Sequence, residues 1–460
     1  MTASGVPWKY RYQYLSGGVN TGGGWETWNS PPGAFAAFYM KDSGANGYTP
    51  VFTYYEICQS LPAKCPQNES AGDLSNLGDV ATMSSYYANF KLLMQQAHTF
   101  GKPVVVHVEP GLWGYLEQAA AGGDASTVSA AVGSSGFPEA VGIPNTVDGF
   151  AWALLHIRDV YAPNVSLAMH ASAWAAGADI ASSTGANLNV VNIADRTAAI
   201  LNSAGITSNP FGSTWDAVFN DVDDHDAGWW EAQGRDNQNF THWSDPTNTT
   251  FPNFTRYIAW VTELRAQTGR QQVAWQVPVG NQYFLTENNT CGHYQDNVAQ
   301  YFLGHTQSLF NAGLVAVLFG AGNACQTNNT DSVGDGVSNN NGQPTVDLLG
   351  YCSGCNVDVS TQADDDGGFL RLFVGKYYSL NLRDSVSQSA PGVPGARPAK
   401  QAPSASPRPR GAQAQPGGHA PTVGSSTAIA PAWVVPPSIP LGAHAIEFRR
   451  LYSSGDTSPF

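Results

Sequence analysis

Residues 215–231 read Trp-Asp-Ala-Val-Phe-Asn-Asp-Val-Asp-Asp-His-Asp-Ala-Gly-Trp-Trp-Glu. A short apolar run, Ala217 to Phe219, breaks into Asp221, Asp223, Asp224, His225 and Asp226, and Trp229 and Trp230 follow at once. Like charges a few Å apart raise each other's pKa, so crowded carboxylates cost free energy. A chain in which only 12% of residues are charged does not need that crowding for solubility. Carboxylates in unlike surroundings split into a proton donor and a charged partner, the pair that cleaves glycosidic bonds, and aromatic rings beside them stack on sugar faces. Asp221 and Asp223, which strand alternation would put on one side, are therefore candidate catalytic groups; Asp226 and Trp229 are candidate substrate contacts. The same string also offers oxygen and imidazole ligands for a divalent cation, and Asp226 stands where it could cap a helix.

A second acid is placed in the same way. Val104-Val-Val-His107-Val-Glu109-Pro110-Gly-Leu-Trp113-Gly-Tyr115 is an apolar run ending in a glutamate, a proline and aromatics. A carboxyl group among apolar side chains has a raised pKa and can donate a proton near neutral pH. Glu109 is the candidate general acid, its bland alternative being a salt bridge to a neighbouring arginine. Other run ends carry the same chemistry: Tyr12 and Tyr14; Tyr55 and Glu56; His170, Ser172 and Trp174; Gln276 with Asn281. Trp25, after the glycines at 22–24, and Trp113 add aromatic faces. Sugar hydroxyls pair with amides, imidazoles and phenols, so Tyr14, Trp25, Tyr55, Glu56, Trp113, His170, Trp174, Gln276 and Asn281 join the candidate binding set, although any one alone reads as packing.

These groups need elements to position them. Strands are expected at Tyr10–Leu15, Pro50–Glu56, Pro103–Glu109, Val165–Ala171, Asp216–Asp221, Gln272–Pro278 and Leu314–Gly320. Helix-period stretches lie between them, at 80–99, 148–160, 254–268 and 294–312. Such alternation implies an α/β fold with a parallel sheet and outer helices. Polar and aromatic groups follow nearly every strand rather than one switch point, which favours a (β/α)8 barrel with its site at the C-terminal face. That barrel needs an eighth strand, which the reading places upstream of Met1. The barrel domain is expected over 1–388, and 389–460 is expected to be a disordered tail, Pro-, Ala-, Gly- and Ser-rich over 389–442.

Composition bounds the partners. The net charge of −14 argues against nucleic acid and anionic membrane, and no run is long and apolar enough to span a bilayer. Six cysteines suggest the pairs Cys58–Cys65, Cys291–Cys325 and Cys352–Cys355. With sequons at Asn68, Asn164, Asn239, Asn248, Asn253, Asn288 and Asn328, they suggest a secreted glycoprotein. Asp331 to Asn339 resembles a calcium loop in composition only, and Asp364-Asp-Asp366 reads as charge at a helix start. No metal and no cofactor is expected, and the chain is expected to act as a monomer on a carbohydrate.

With Glu109 at one strand end, the acidic cluster at another and aromatics between, residues 8–380 resemble the secreted (β/α)8-barrel glycoside hydrolases. In the large clan of retaining barrel glycosidases the acid/base glutamate ends strand four, the place Glu109 takes if one strand precedes Tyr10. The clan's nucleophile ends strand seven, where Val273-Ala-Trp-Gln276-Val-Pro278 offers Gln276. The departure moves the second carboxylate to Asp221 or its neighbours. A barrel that binds glycans without cleaving them, and a metal-dependent hydrolase using the 221–226 cluster, are the alternatives.

Overall fold

Seven runs rich in β-branched and aromatic residues, the types that fit a pleated buried surface, form strands: β1 (Tyr10–Ser16), β2 (Thr49–Tyr55), β3 (Val104–Val108), β4 (Val165–Ala171), β5 (Ala217–Asp221), β6 (Gln271–Val277) and β7 (Leu314–Phe319). The computed structural model describes residues 4–65, 68–234, 241–284, 286–320, 325–336, 363–379 and 443–447. Each of the seven pairs in parallel with the next, so every C-terminal end points the same way. The register sets Thr53 beside His107, His107 beside Ala168, His170 beside Phe219, and Asp221 beside Trp275. Between β6 and β7 it shifts twice, the second time between Ala274 and Val277, next to Gln276.

The seam between β1 and β7 corrects the expectation of a strand upstream of Met1. It is filled by β8 (Ala443–Glu447), which pairs antiparallel with both neighbours and closes the barrel. A five-residue strand thus lies inside the stretch 389–460 that composition assigned to a tail. Residues 389–442, the Pro- and Ala-rich part, lie outside the described residues. Counted from β1, Glu109 follows the third parallel strand, not the fourth.

Among the described residues eleven α-helices cover the outside: α1 (Ala34–Ala45), α2 (Glu69–Gly78), α3 (Val80–Phe100), α4 (Pro110–Ala119), α5 (Val147–Tyr161), α6 (Val190–Ser203), α7 (Ala227–Ala232), α8 (Phe254–Thr268), α9 (Val298–Gly304), α10 (Thr306–Ala312) and α11 (Phe369–Ser379). Side chains cap some of their starts. Asp79 accepts from the Thr82 amide, Asn189 from that of Asn192, and Asn253 from that of Arg256. Asp366 accepts from the amides of Gly368 and Leu370 at the start of α11, the helix-start role expected of the 364–366 acids. Asp331 closes its own turn on the amides of Gly334, Asp335 and Gly336.

Strand alternation divides the apolar residues into two cores. Tyr10, Tyr12, Val51, Val105, Ala168, Ala217, Phe219, Val273, Trp275, Ala316 and Leu318 fill the barrel interior. The opposite strand faces, including Phe52, Val106, Leu167 and Val218, join the helices in a larger shell. Cys58–Cys65 and Cys291–Cys325 are disulfides, while Cys352 and Cys355 lie outside the described residues. Among the described residues no helix is long and apolar enough to cross a membrane.

Candidate active site

Two strand ends hold a non-glycine residue in the left-handed region, Glu109 at φ 47° and Gln276 at φ 53°. Such a residue costs on the order of 1–3 kcal/mol and persists only where its surroundings over-determine it. Here they do. Glu109 Oε1 accepts from the amides of Glu56 (3.0 Å) and Ile57 (3.2 Å), and Pro110 starts α4 directly after it. The Gln276 side-chain amide donates to the Tyr14 hydroxyl at 2.6 Å.

Glu109 is at the same end of the sheet as Asp221, but it does not open on the cleft. Its side chain is wholly buried, beneath the backbone that follows β2. Glu56 is buried beside it and accepts from the Gly18 amide at 2.7 Å. Gly18 permits this approach: its φ is +82°, and a Cβ there would sit 2.3 Å from the Gln59 carbonyl oxygen. Glu56 Oε1 is buried without a hydrogen-bond partner, and the buried Tyr86 hydroxyl stands against the Glu109 carboxyl. Burial pushes the Glu109 carboxyl up to about 8, against the pull of the two amides, and drives Glu56 well above the carboxylate range, with Glu109 adding to it. Burial thus favours the neutral form of both acids inside the wall of the barrel. Both acids are fully buried, so the roles expected of Glu109 as proton donor and of Glu56 as substrate contact fall on side chains without solvent access.

Two other acids near the strand ends keep partial exposure. Glu69, at the start of α2, accepts from the hydroxyls of Tyr55 (2.7 Å) and Tyr115 (3.3 Å). Burial raises its pKa, and the two tyrosine hydrogen bonds oppose the rise. Asp221, ending β5, keeps 27% of its side chain exposed, and its Oδ1 lies 3.3 Å from His170 Nε2. Tyr14 stands between them. Its ring meets Tyr55 edge-on at 6.4 Å and tilts against Trp275 at 5.8 Å. Its hydroxyl is pushed well above the ordinary tyrosine value, by burial first and then by Tyr12, Asp224, Asp221 and Glu69, so it lies within electrostatic reach of acids on both sides.

Beyond Asp221 the chain forms an acidic wall. Asp223 Oδ1 accepts from Trp230 Nε1 (2.8 Å) and the His225 amide (3.2 Å), and Asp224 pairs with His225 at 2.6 Å. Burial, then Asp224 and Asp179, push Asp223 well upward. Desolvation first, then Asp221 and Asp224, raise the Asp179 carboxyl to about 7. Trp229 tilts against His225 at 3.8 Å and Trp230 stacks on His242 at 4.3 Å, so both indoles pack against imidazoles. Donor atoms of Asp223, Asp224 and His225 lie within 4.8 Å of one another, close enough to share a cation.

Several expected contacts belong to the frame instead. Asp226 is fully buried, and its two oxygens accept from the amides of Gly280 and Thr327, both at 2.9 Å, clamping three loops. Asn281 is buried between the Asp366 carbonyl and the Tyr283 amide. Trp25 donates to Asn89 and Trp113 to the Val108 carbonyl, both inside the shell. Gln276 is buried too and acts through Tyr14. Trp174 packs on Tyr115 at 5.1 Å over Gly114, where a Cβ would sit 2.5 Å from the indole. Tyr14, Tyr55, Glu69, Tyr115, His170, Asp221, Asp223 and Trp229 make up the candidate site. Glu69 was missed because it lies outside every strand, within the sequon Asn68-Glu69-Ser70. Tyr115 was visible in the motif after Glu109 but carried no distinguishing signal. No known protein-family profile matches this chain, and no curated protein matches it.

Proposed function

We propose that this protein is a secreted glycoside hydrolase whose working carboxylates are Glu69 and Asp221. The observation that carries the reading is their unlike surroundings at one end of a parallel sheet. Glu69 is desolvated, which suits a carboxylic acid that gives its proton to a leaving oxygen, and two phenol hydroxyls fix its position. Asp221 is partly exposed beside an imidazole, which suits a carboxylate that stays charged and stabilises an oxocarbenium-like transition state, directly or through a water. Tyr14 separates the two and offers a hydroxyl, while Trp229 and Trp174 supply faces for sugar rings. Two disulfides fit an oxidising compartment. The test is release of reducing ends from a broad panel of neutral and charged oligosaccharides, with Asp221→Asn as control. Binding without cleavage across the panel would replace this reading with a glycan-binding barrel.

The grouping of Asp223, Asp224 and His225 favours one second reading, a metal-dependent hydrolase. Loss of activity with chelator, restored by a divalent ion and absent in His225→Ala, would select it.

A further inference from the structure

Two histidines occupy the barrel interior just below the strand ends. His107 on β3 is fully buried, and His170 on β4 nearly so. His107 Nε2 lies 3.1 Å from His170 Nδ1, and the other His107 nitrogen lies 3.4 Å from Thr53 Oγ1 on β2. His170 Nε2 in turn faces Asp221 Oδ1 at 3.3 Å. The sheet register places these residues on adjacent strands, and apolar rings seal them in. Phe219 stacks on His107 at 4.4 Å, and Trp275 meets both imidazoles edge-on at 4.9 and 5.6 Å.

We infer that Thr53, His107 and His170 form a one-directional hydrogen-bond relay that fixes the orientation of the Asp221 carboxylate. The direction follows from what each group can do. An ionised carboxylate only accepts, so His170 carries its proton on Nε2 and presents a bare Nδ1. Two imidazoles facing nitrogen to nitrogen share one proton, which must then sit on His107 Nε2. His107 Nδ1 is left as an acceptor, and the Thr53 hydroxyl, a rotor, turns to donate to it. No cation is needed in the interior, where burying one costs far more than burying a satisfied neutral chain. His107 touches no substrate in this scheme. It is a positioning residue that acts on Asp221 through His170.

The inference deepens the glycosidase reading and rests on it for its catalytic consequence, but the relay is measured without any substrate. Nitrogen-15 spectra of histidine-labelled protein distinguish the two neutral tautomers and the imidazolium. The expected result at neutral pH is the Nε2–H tautomer at both His107 and His170. In His107→Leu the donor to His170 Nδ1 is gone, and His170 is expected to populate a mixture. In His107→Gln the side-chain amide donates in its place, and His170 stays Nε2–H. Turnover in His107→Leu is expected to fall on the order of 100-fold with little change in KM, as a misplaced reacting group does, and to recover in part with Gln. An Nδ1–H tautomer or an imidazolium at His170 in the wild type would overturn the relay. So would a His170 spectrum unmoved by His107→Leu. If the spectra fit but no glycan is cleaved, the relay stands and the glycosidase reading falls; if glycans are cleaved and the spectra do not fit, the reverse holds.

Discussion

Replacing Glu109 by glutamine should make the fold markedly less sensitive to alkaline pH while leaving catalysis within about tenfold of wild type. The buried Glu109 carboxyl is pushed up to about 8 by desolvation, against an ordinary value of 4.5. A carboxyl with a folded-state pKa above its unfolded value binds its proton more tightly when folded. Its contribution to stability is therefore complete below about 4.5 and is lost as pH rises through about 8. At roughly 1.4 kcal/mol per pKa unit the loss approaches 5 kcal/mol as a ceiling, and relaxation of the buried wall reduces it. Glutamine keeps the acceptor oxygen for the Glu56 and Ile57 amides and puts a neutral NH2 where the protonated Oε2 stands. Urea unfolding of wild type and Glu109→Gln at pH 5, 7 and 9 is the assay. The two should differ little at pH 5, and the variant should be the more stable by several kcal/mol at pH 9. Equal pH slopes would refute the buried-acid account, and a hundredfold loss of turnover in the variant would return Glu109 to the chemistry.

Asn253→Ala removes an N-cap and should cost about 0.5–2 kcal/mol by denaturant unfolding; Asn253 is only 5% exposed, so mass spectrometry of secreted protein should find no glycan on it. Opening Cys291–Cys325, which spans 34 residues, should cost about 4 kcal/mol on the loop-entropy model, more than opening Cys58–Cys65, which spans 7; equal thermal shifts in the two double-alanine variants would contradict this.

The seven parallel strands were legible because each is an apolar run that stops at a polar or aromatic residue, and because the intervening periodicity is helical. Ala443–Glu447 was not, since five residues at the end of a Pro- and Ala-rich stretch carry no period, and only the open edges of β1 and β7 give them a place. Glu109 and Asp221 were both found at strand ends, but sequence position could not say that one lies under the Glu56 backbone while the other reaches solvent. The acidic string 221–226 was likewise read as one site. Its members diverge because Asp226 turns inward to the Gly280 and Thr327 amides, while Asp221 stays at the rim. Trp25 and Trp113 were taken for sugar platforms by residue type, and the shell absorbed them. His107 was in plain view inside Val104–Val108, yet a histidine on a buried strand declares a role only when its partner on the neighbouring strand is known.

The central claim is that Glu69 supplies the proton and Asp221 the charge. Two substrates sharing one sugar, an aryl glycoside with a strongly acidic leaving phenol and an unactivated oligosaccharide, separate these roles. A good leaving group needs no proton, so Glu69→Gln should keep most of its activity on the aryl glycoside and lose about two to four orders of magnitude on the oligosaccharide. Asp221→Asn should lose activity on both. Equal losses on both substrates in Glu69→Gln, or an active Asp221→Asn, would contradict the account.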